Sequence, residues 1–208
     1  QPAVISALLI LMMSASGCNM MAWLGQGVIG EKPVLVTAAY YGLQNQSVAV
    51  LVSTSSQIES RYPRVTAEVC RAVSGAIARA LPGAVVMGAQ EATAFTQSHP
   101  GWELMPASSV ARQLKVQRLV MIDIHDYRTH EPGNTHIWQG VLKATVDVIE
   151  ADGKDPDTAV FRKAISTQYP LTGVVGLVSS NSAEIKRKLL PDFAVKVTRL
   201  FVDHEEML

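Results

Sequence analysis

Ser47-Val48-Ala49-Val50-Leu51-Val52 is an apolar run opened by one polar residue. A strand with one wet face alternates, whereas a strand covered on both faces reads as a continuous apolar stretch, the habit of parallel strands in α/β folds. Two shorter runs repeat the pattern downstream, Ala84-Val85-Val86-Met87 and Leu119-Val120-Met121-Ile122, the latter continued by Asp123-Ile124. After a polar loop over 53–60, Val65, Val69, Val73, Ile77 and Ala80 recur at helical spacing. Pro63 suits the first turn of that helix and Leu81-Pro82-Gly83 its end, while Arg64, Glu68, Arg71 and Arg79 fall mainly off the apolar stripe. Residues 91–97 read as a short helix stopped by His99-Pro100-Gly101, and Pro106-Ala107-Ser108-Ser109 as the start of another, capped by Ser108.

The second half of the chain has a different period. Over 138–150, Leu142, Ala144, Val146 and Val148 alternate with Lys143, Thr145 and Asp147, which predicts a strand with one buried face. Asp152-Gly153 is a hairpin turn signal, and 159–169 returns as the next strand. Ser182 opens a last helix lined by Ile185, Leu189, Phe193, Val197, Leu200 and Phe201, with Pro191 expected to kink or divide it. The order predicts an α/β domain: a mixed β-sheet packed with helices, the first strands parallel, then a long antiparallel hairpin and a kinked terminal helix.

Of the 208 residues, 18 are basic and 18 acidic, so no positive field is available for nucleic acid, and no nucleic-acid motif is present. The two cysteines are Cys18 and Cys70. Cys70 stands among alanines and valines in the helical stretch and reads as a small buried hydrophobe.

Cys18 carries a different signal. An apolar run over 3–13 leads through small residues to Ala15-Ser16-Gly17-Cys18. The run is shorter than the roughly 20 residues that span a bilayer and suits the apolar part of a secretory signal. The stretch resembles the lipobox of bacterial lipoproteins, with Ala15 where Leu is commonest. That resemblance implies cleavage before Cys18 and lipid on its sulfur and amine. The expected division is therefore a signal over 1–17 whose first residues precede Gln1, a lipidated cysteine with tether and extended arm over 18–46, and one α/β domain over 47–208. Within the arm, 34–41 is a candidate strand and Gly25, Gly27 and Gly30 mark the tether. Asn19 rather than Asp after the cysteine favours the outer membrane over the inner.

From Val48-Ala49-Val50-Leu51 through the helix after Pro63, the runs 84–87, 110–114 and 119–123, and the hairpin at Asp152-Gly153, the chain resembles a group of envelope lipoprotein domains. The group includes the curli-secretion lipoprotein CsgG, the penicillin-binding-protein activators of the LpoB type, and the amino-terminal domain of TolB. The resemblance covers roughly 47–201 and is one of arrangement. It implies a non-enzymatic domain that binds or scaffolds envelope proteins or assembles with copies of itself, without a cofactor.

The densest polar stretch runs from Asp123 through His125, Asp126, Tyr127, Arg128 and His130 to His136. Asp123 and His125 share a strand face, so with His130 and His136 they are the candidate metal ligands of an alternative reading, a metal-dependent or hydrolytic envelope enzyme. Nothing in the spacing fixes three ligands. Ser55, Ser56, Ser108 and Ser109 lack a nucleophile-elbow context, and the Gly25–Gly30 pattern has no strand before it. Aromatic residues dominate interface hot spots, so Tyr40, Tyr41, Trp102 and Trp138, with Lys143 on the outward strand face, are the candidate partner contacts.

Overall fold

The computed structural model describes residues 33–134, 136–171 and 180–207. In chain order the elements are strand β1 (Pro33–Val36), β2 (Ser47–Thr54), helices α1 (Ser56–Arg61) and α2 (Val65–Ala80), β3 (Val85–Val86), α3 (Ala89–Ser98), a 3₁₀ turn at Trp102–Leu104, and α4 (Ala107–Leu114). They continue with β4 (Arg118–Arg128), β5 (Gly140–Glu150), β6 (Ala159–Tyr169), α5 (Ser182–Thr198) and β7 (His204–Met207). The chain divides into a larger compact unit, Thr37–His204, and a smaller one holding β1 and most of β7, which pair as a two-stranded sheet. The tether residues before Pro33 and the apolar stretch 172–179 lie outside the described residues. Among the described residues no helix is long and apolar enough to cross a membrane.

The larger unit is built on a five-stranded mixed sheet in the order β3-β2-β4-β5-β6. β2 runs parallel to both β3 and β4; β4 to β5 and β5 to β6 are antiparallel. Residues 48–52 of β2 are all buried, as an inner strand with cover on both faces should be. One sheet face is continuous and apolar: Val50, Val120 and Val148 lie in one cross-strand row, and Val52, Ile122 and Val146 in the next. Helix α5 lies on this face, where a Cβ added to Gly140 would meet Ile185 Cγ2 at 2.5 Å. Helix α2 packs beside α5, and its Val65, Val69, Val73 and Ile77 are 0–1% exposed. Ala80, at the end of the same predicted stripe, is exposed.

The opposite face is covered only in part. Ala49, Leu51, Leu119 and Ile149 are buried there, whereas Asp123, His125, Lys143, Arg162, Ala164 and Ser166 stand exposed on β4, β5 and β6. The predicted alternation of β5 is thus present: Leu142, Ala144, Val146 and Val148 are 0–1% exposed and Lys143 points outward. Val146→Ala should cost about 1–3 kcal/mol through lost burial and an incompletely filled gap. Lys143→Glu should change stability by only ~0.5 kcal/mol. Matched urea denaturation curves check the pair, and equal losses would contradict this register.

Several local expectations are corrected. The supposed loop after β2 holds α1, capped by the Ser55 hydroxyl, which accepts from the Ile58 N–H. β3 is two residues long, since only Val85 and Val86 reach β2. Ser108 lies inside α4 and not at its cap; its N–H donates to Asp157 Oδ1 at 2.8 Å. That carboxylate comes from the β5–β6 loop, which spans 151–158 rather than forming a tight turn at Asp152-Gly153. Trp138 precedes β5, which opens at Gly140. Pro191 does not divide the last helix: Ser182–Thr198 is one element, capped by the Asn181 side chain on the Glu184 N–H. Residues 37–46, assigned to an arm by sequence, lie in the larger unit, with Ala38 and Leu43 buried.

Candidate functional site

β4 is longer than its apolar run because β5 pairs with it from Arg118 to Arg128. The register shifts between Ile124 and Asp126. A bulge of this kind re-aims the residues after it, and here it returns the odd-numbered Tyr127 to the buried face, 4% exposed, while His125 stays outside. The polar cluster read from the sequence is therefore spread over two faces and a loop.

His125 Nδ1 lies 3.5 Å from Asp123 Oδ2, and its Nε2 lies 2.7 Å from Thr145 Oγ1 on β5. Asp126 is taken up by Arg128 at 3.0 Å. His130 Nε2 accepts from Arg61 of α1 at 3.0 Å and its ring meets Trp138 edge-on. That bond occupies the lone pair a metal would use. His136 is exposed in the β4–β5 loop. Among the described residues no three His, Cys, Asp or Glu side chains come together to hold a metal ion.

The proposed contact residues have diverse settings. Trp102 is 4% exposed, so its indole fills the core and cannot act as a free surface ring. Tyr40 packs against Phe161 and Phe201 and donates from its hydroxyl to Glu150 Oε1 at 2.6 Å. Burial first, then the Glu150 carboxylate, pushes that phenol well above its ordinary value. Glu150 belongs to a network around Arg118, a residue 8% exposed whose guanidinium also bonds Asp152 and the Gly42 carbonyl. Tyr41 is half exposed and donates to Asp203, whose carboxyl is held below its usual range by that hydroxyl and by the Ala38 N–H. Trp138 is half-buried and Lys143 exposed. Beside Lys143 on the open face, Arg162 grips Asp147 with two bonds of 2.7 Å.

Cys70 is buried, its thiol donating to the Val50 carbonyl at 3.3 Å, and burial pushes its pKa up, the reverse of what a nucleophile needs. Sequence reading missed one feature altogether. Tyr62, which closes α1, stacks edge-on against Tyr127 with ring centroids 4.8 Å apart, and both hydroxyls are buried without a hydrogen-bond partner among the described residues. The Tyr127 phenol is pushed up by burial and by the nearby charges of Glu68 and Tyr62. The two rings lie far apart in sequence, so no local pattern announces the pair.

No protein-family model and no curated protein sequence matches the chain. Solved structures do. The PelC dodecamer from Paraburkholderia phytofirmans is similar at 10% identity over 82% of this chain and 97% of its own, with a TM-score of 0.48. Lipoprotein GNA1162 from Neisseria meningitidis is similar at 11% identity over 68% of this chain and 90% of its own, TM-score 0.43. The LpoB C-terminal domain from Salmonella enterica is similar at 12% identity over 63% of this chain and 84% of its own, TM-score 0.32.

Proposed function

We propose that this chain is a lipid-anchored domain of the bacterial cell envelope, facing the periplasm, that binds or scaffolds other envelope components and carries out no catalysis. The observation behind the reading is the lipobox-like Ala15-Ser16-Gly17-Cys18 standing ahead of an α/β unit. Acyl chains on Cys18 would hold the domain at the membrane, since each buried methylene contributes about 0.8 kcal/mol and two chains suffice for stable anchoring. Asn19 supports the outer membrane as the address. The polar, uncovered half of the sheet on β4, β5 and β6 offers the contact face, with Lys143 at its middle strand. The partner is a second envelope protein or another copy of the chain.

Cys18→Ser should release the protein into the soluble periplasmic fraction, because the lipid supplies nearly all membrane affinity. Persistence of the variant on salt-washed membranes would count against the anchor. For the binding half, a photo-crosslinker at position 143 of the anchored protein should give one reproducible adduct in intact cells. Absence of any adduct there, with adducts from buried-face controls equally absent, overturns the contact face.

A further inference from the structure

We propose that the hollow where the α1–α2 junction meets the end of β4 and the first part of α5 binds an oxyanion carried on an apolar or aromatic group. Its walls include Arg61, Tyr62, Arg64, Glu68, Tyr127 and Lys186, and it holds about 230 Å³, room for a ligand smaller than the drug-sized ones that fill sites of roughly 300–1,000 Å³.

The chemistry of the lining is one-sided. Arg61, Arg64, Tyr62 and Tyr127 all offer donors, and arginine has no acceptor at all. The single carboxylate, Glu68, is already engaged: Lys186 Nζ bonds its two oxygens at 2.8 and 3.1 Å. Neither arginine has a carboxylate within salt-bridge distance among the described residues. Arg61 spends one donor on His130 and otherwise lies 5.9 Å over the Tyr62 ring. The hydroxyls of Tyr127, a residue 4% exposed, and of Tyr62 lack any acceptor among the described residues. Buried polar groups are nearly always paired, and each exception calls for an explanation. A ligand that only accepts, with negative charge for two guanidiniums and an apolar body for two tyrosine rings, supplies what this lining lacks. Glu68 and Tyr127 line the same hollow.

The test uses the full chain made soluble by Cys18→Ser, titrated calorimetrically with phenyl phosphate, benzoate and, as the neutral control, benzyl alcohol. Saturable one-site binding of at least one anion, without binding of the alcohol, is expected, and the stronger anion tells phosphate from carboxylate. Arg64→Gln, an exposed change, should weaken it about tenfold, the loss of one charge-assisted contact. Tyr127→Phe should weaken it several-fold while leaving the thermal midpoint unchanged or raised, because the hydroxyl it removes has no partner among the described residues. No saturable anion binding, equal binding of the alcohol, or unchanged affinity in Arg64→Gln overturns the site. Tyr127→Phe that loses stability but no affinity makes the tyrosine a packing residue and overturns its role.

Discussion

Val50→Asp is expected to abolish the cooperative fold. Val50 is 0% exposed, paired in register with Val120 on β4, and its carbonyl takes the Cys70 thiol from α2. A carboxylate there would lie within the apolar core cluster, where Val50 packs with Val48, Val52, Val120 and Val148. An unpaired buried charge costs several kcal/mol even after its pKa rises to neutralise it, against a typical total stability of about 5–15 kcal/mol. Val50→Ala, which removes volume without adding charge, should lose only about 1–3 kcal/mol and keep the fold. Far-UV dichroism and thermal melting of the two variants check this. A cooperative Val50→Asp melt at the wild-type midpoint would show that 48–52 is not a core strand.

What the sequence made legible was whatever a period could carry. β2 and β5 announce themselves because their burial is uniform in one and strictly alternating in the other, and α2 because four apolar residues fall on one stripe. α1 has no buried residue, so no amphipathic signal exists to read; only the Ser55 cap marks it. β7 contributes a short ribbon with Glu205 and Glu206, residues poor in strand preference, and exists by pairing with β1 across the length of the chain. The β5–β6 turn misled because Asp152-Gly153 has hairpin chemistry locally. Asp152 is instead drawn to Arg118, and Asp157 to the first turn of α4.

The candidate site follows the same division. The adjacency of Asp123 and His125 is a consequence of strand period and was readable. Their separation from His130 was not, because it depends on the bulge after Ile124 and on Arg61 arriving from α1. The aromatic residues had no period at all: Trp102 buries into the core, Tyr40 packs part-buried against it and Tyr41 stays half exposed, and only tertiary packing distinguishes them. The Tyr62–Tyr127 pair likewise joins a helix end to a strand end, and the donor-rich hollow around it is a product of that meeting.

Phe193→Ala should be the most destabilising change on the last helix. Ile185, Leu189, Phe193 and Val197 are each 0% exposed along the stripe of α5 that faces α2 and the sheet, and Phe193 is among the largest fully buried side chains. Phe→Ala in such a setting costs about 3–5 kcal/mol, the transfer term plus the cavity left behind. Pro191, two residues earlier, is exposed on the far side. Its ring removes one N–H from the helical ladder, yet the element continues to Thr198, because the buried stripe holds the turns on either side in place. Pro191→Ala restores that donor and a better helix former at an exposed position. Its melting midpoint should therefore equal or exceed that of the wild type, while Phe193→Ala falls by many degrees. The two curves together separate packing from backbone preference. If Pro191→Ala lost as much as Phe193→Ala, the proline ring would be a packing element of the helix rather than a tolerated interruption, and the stripe would not be what keeps α5 whole.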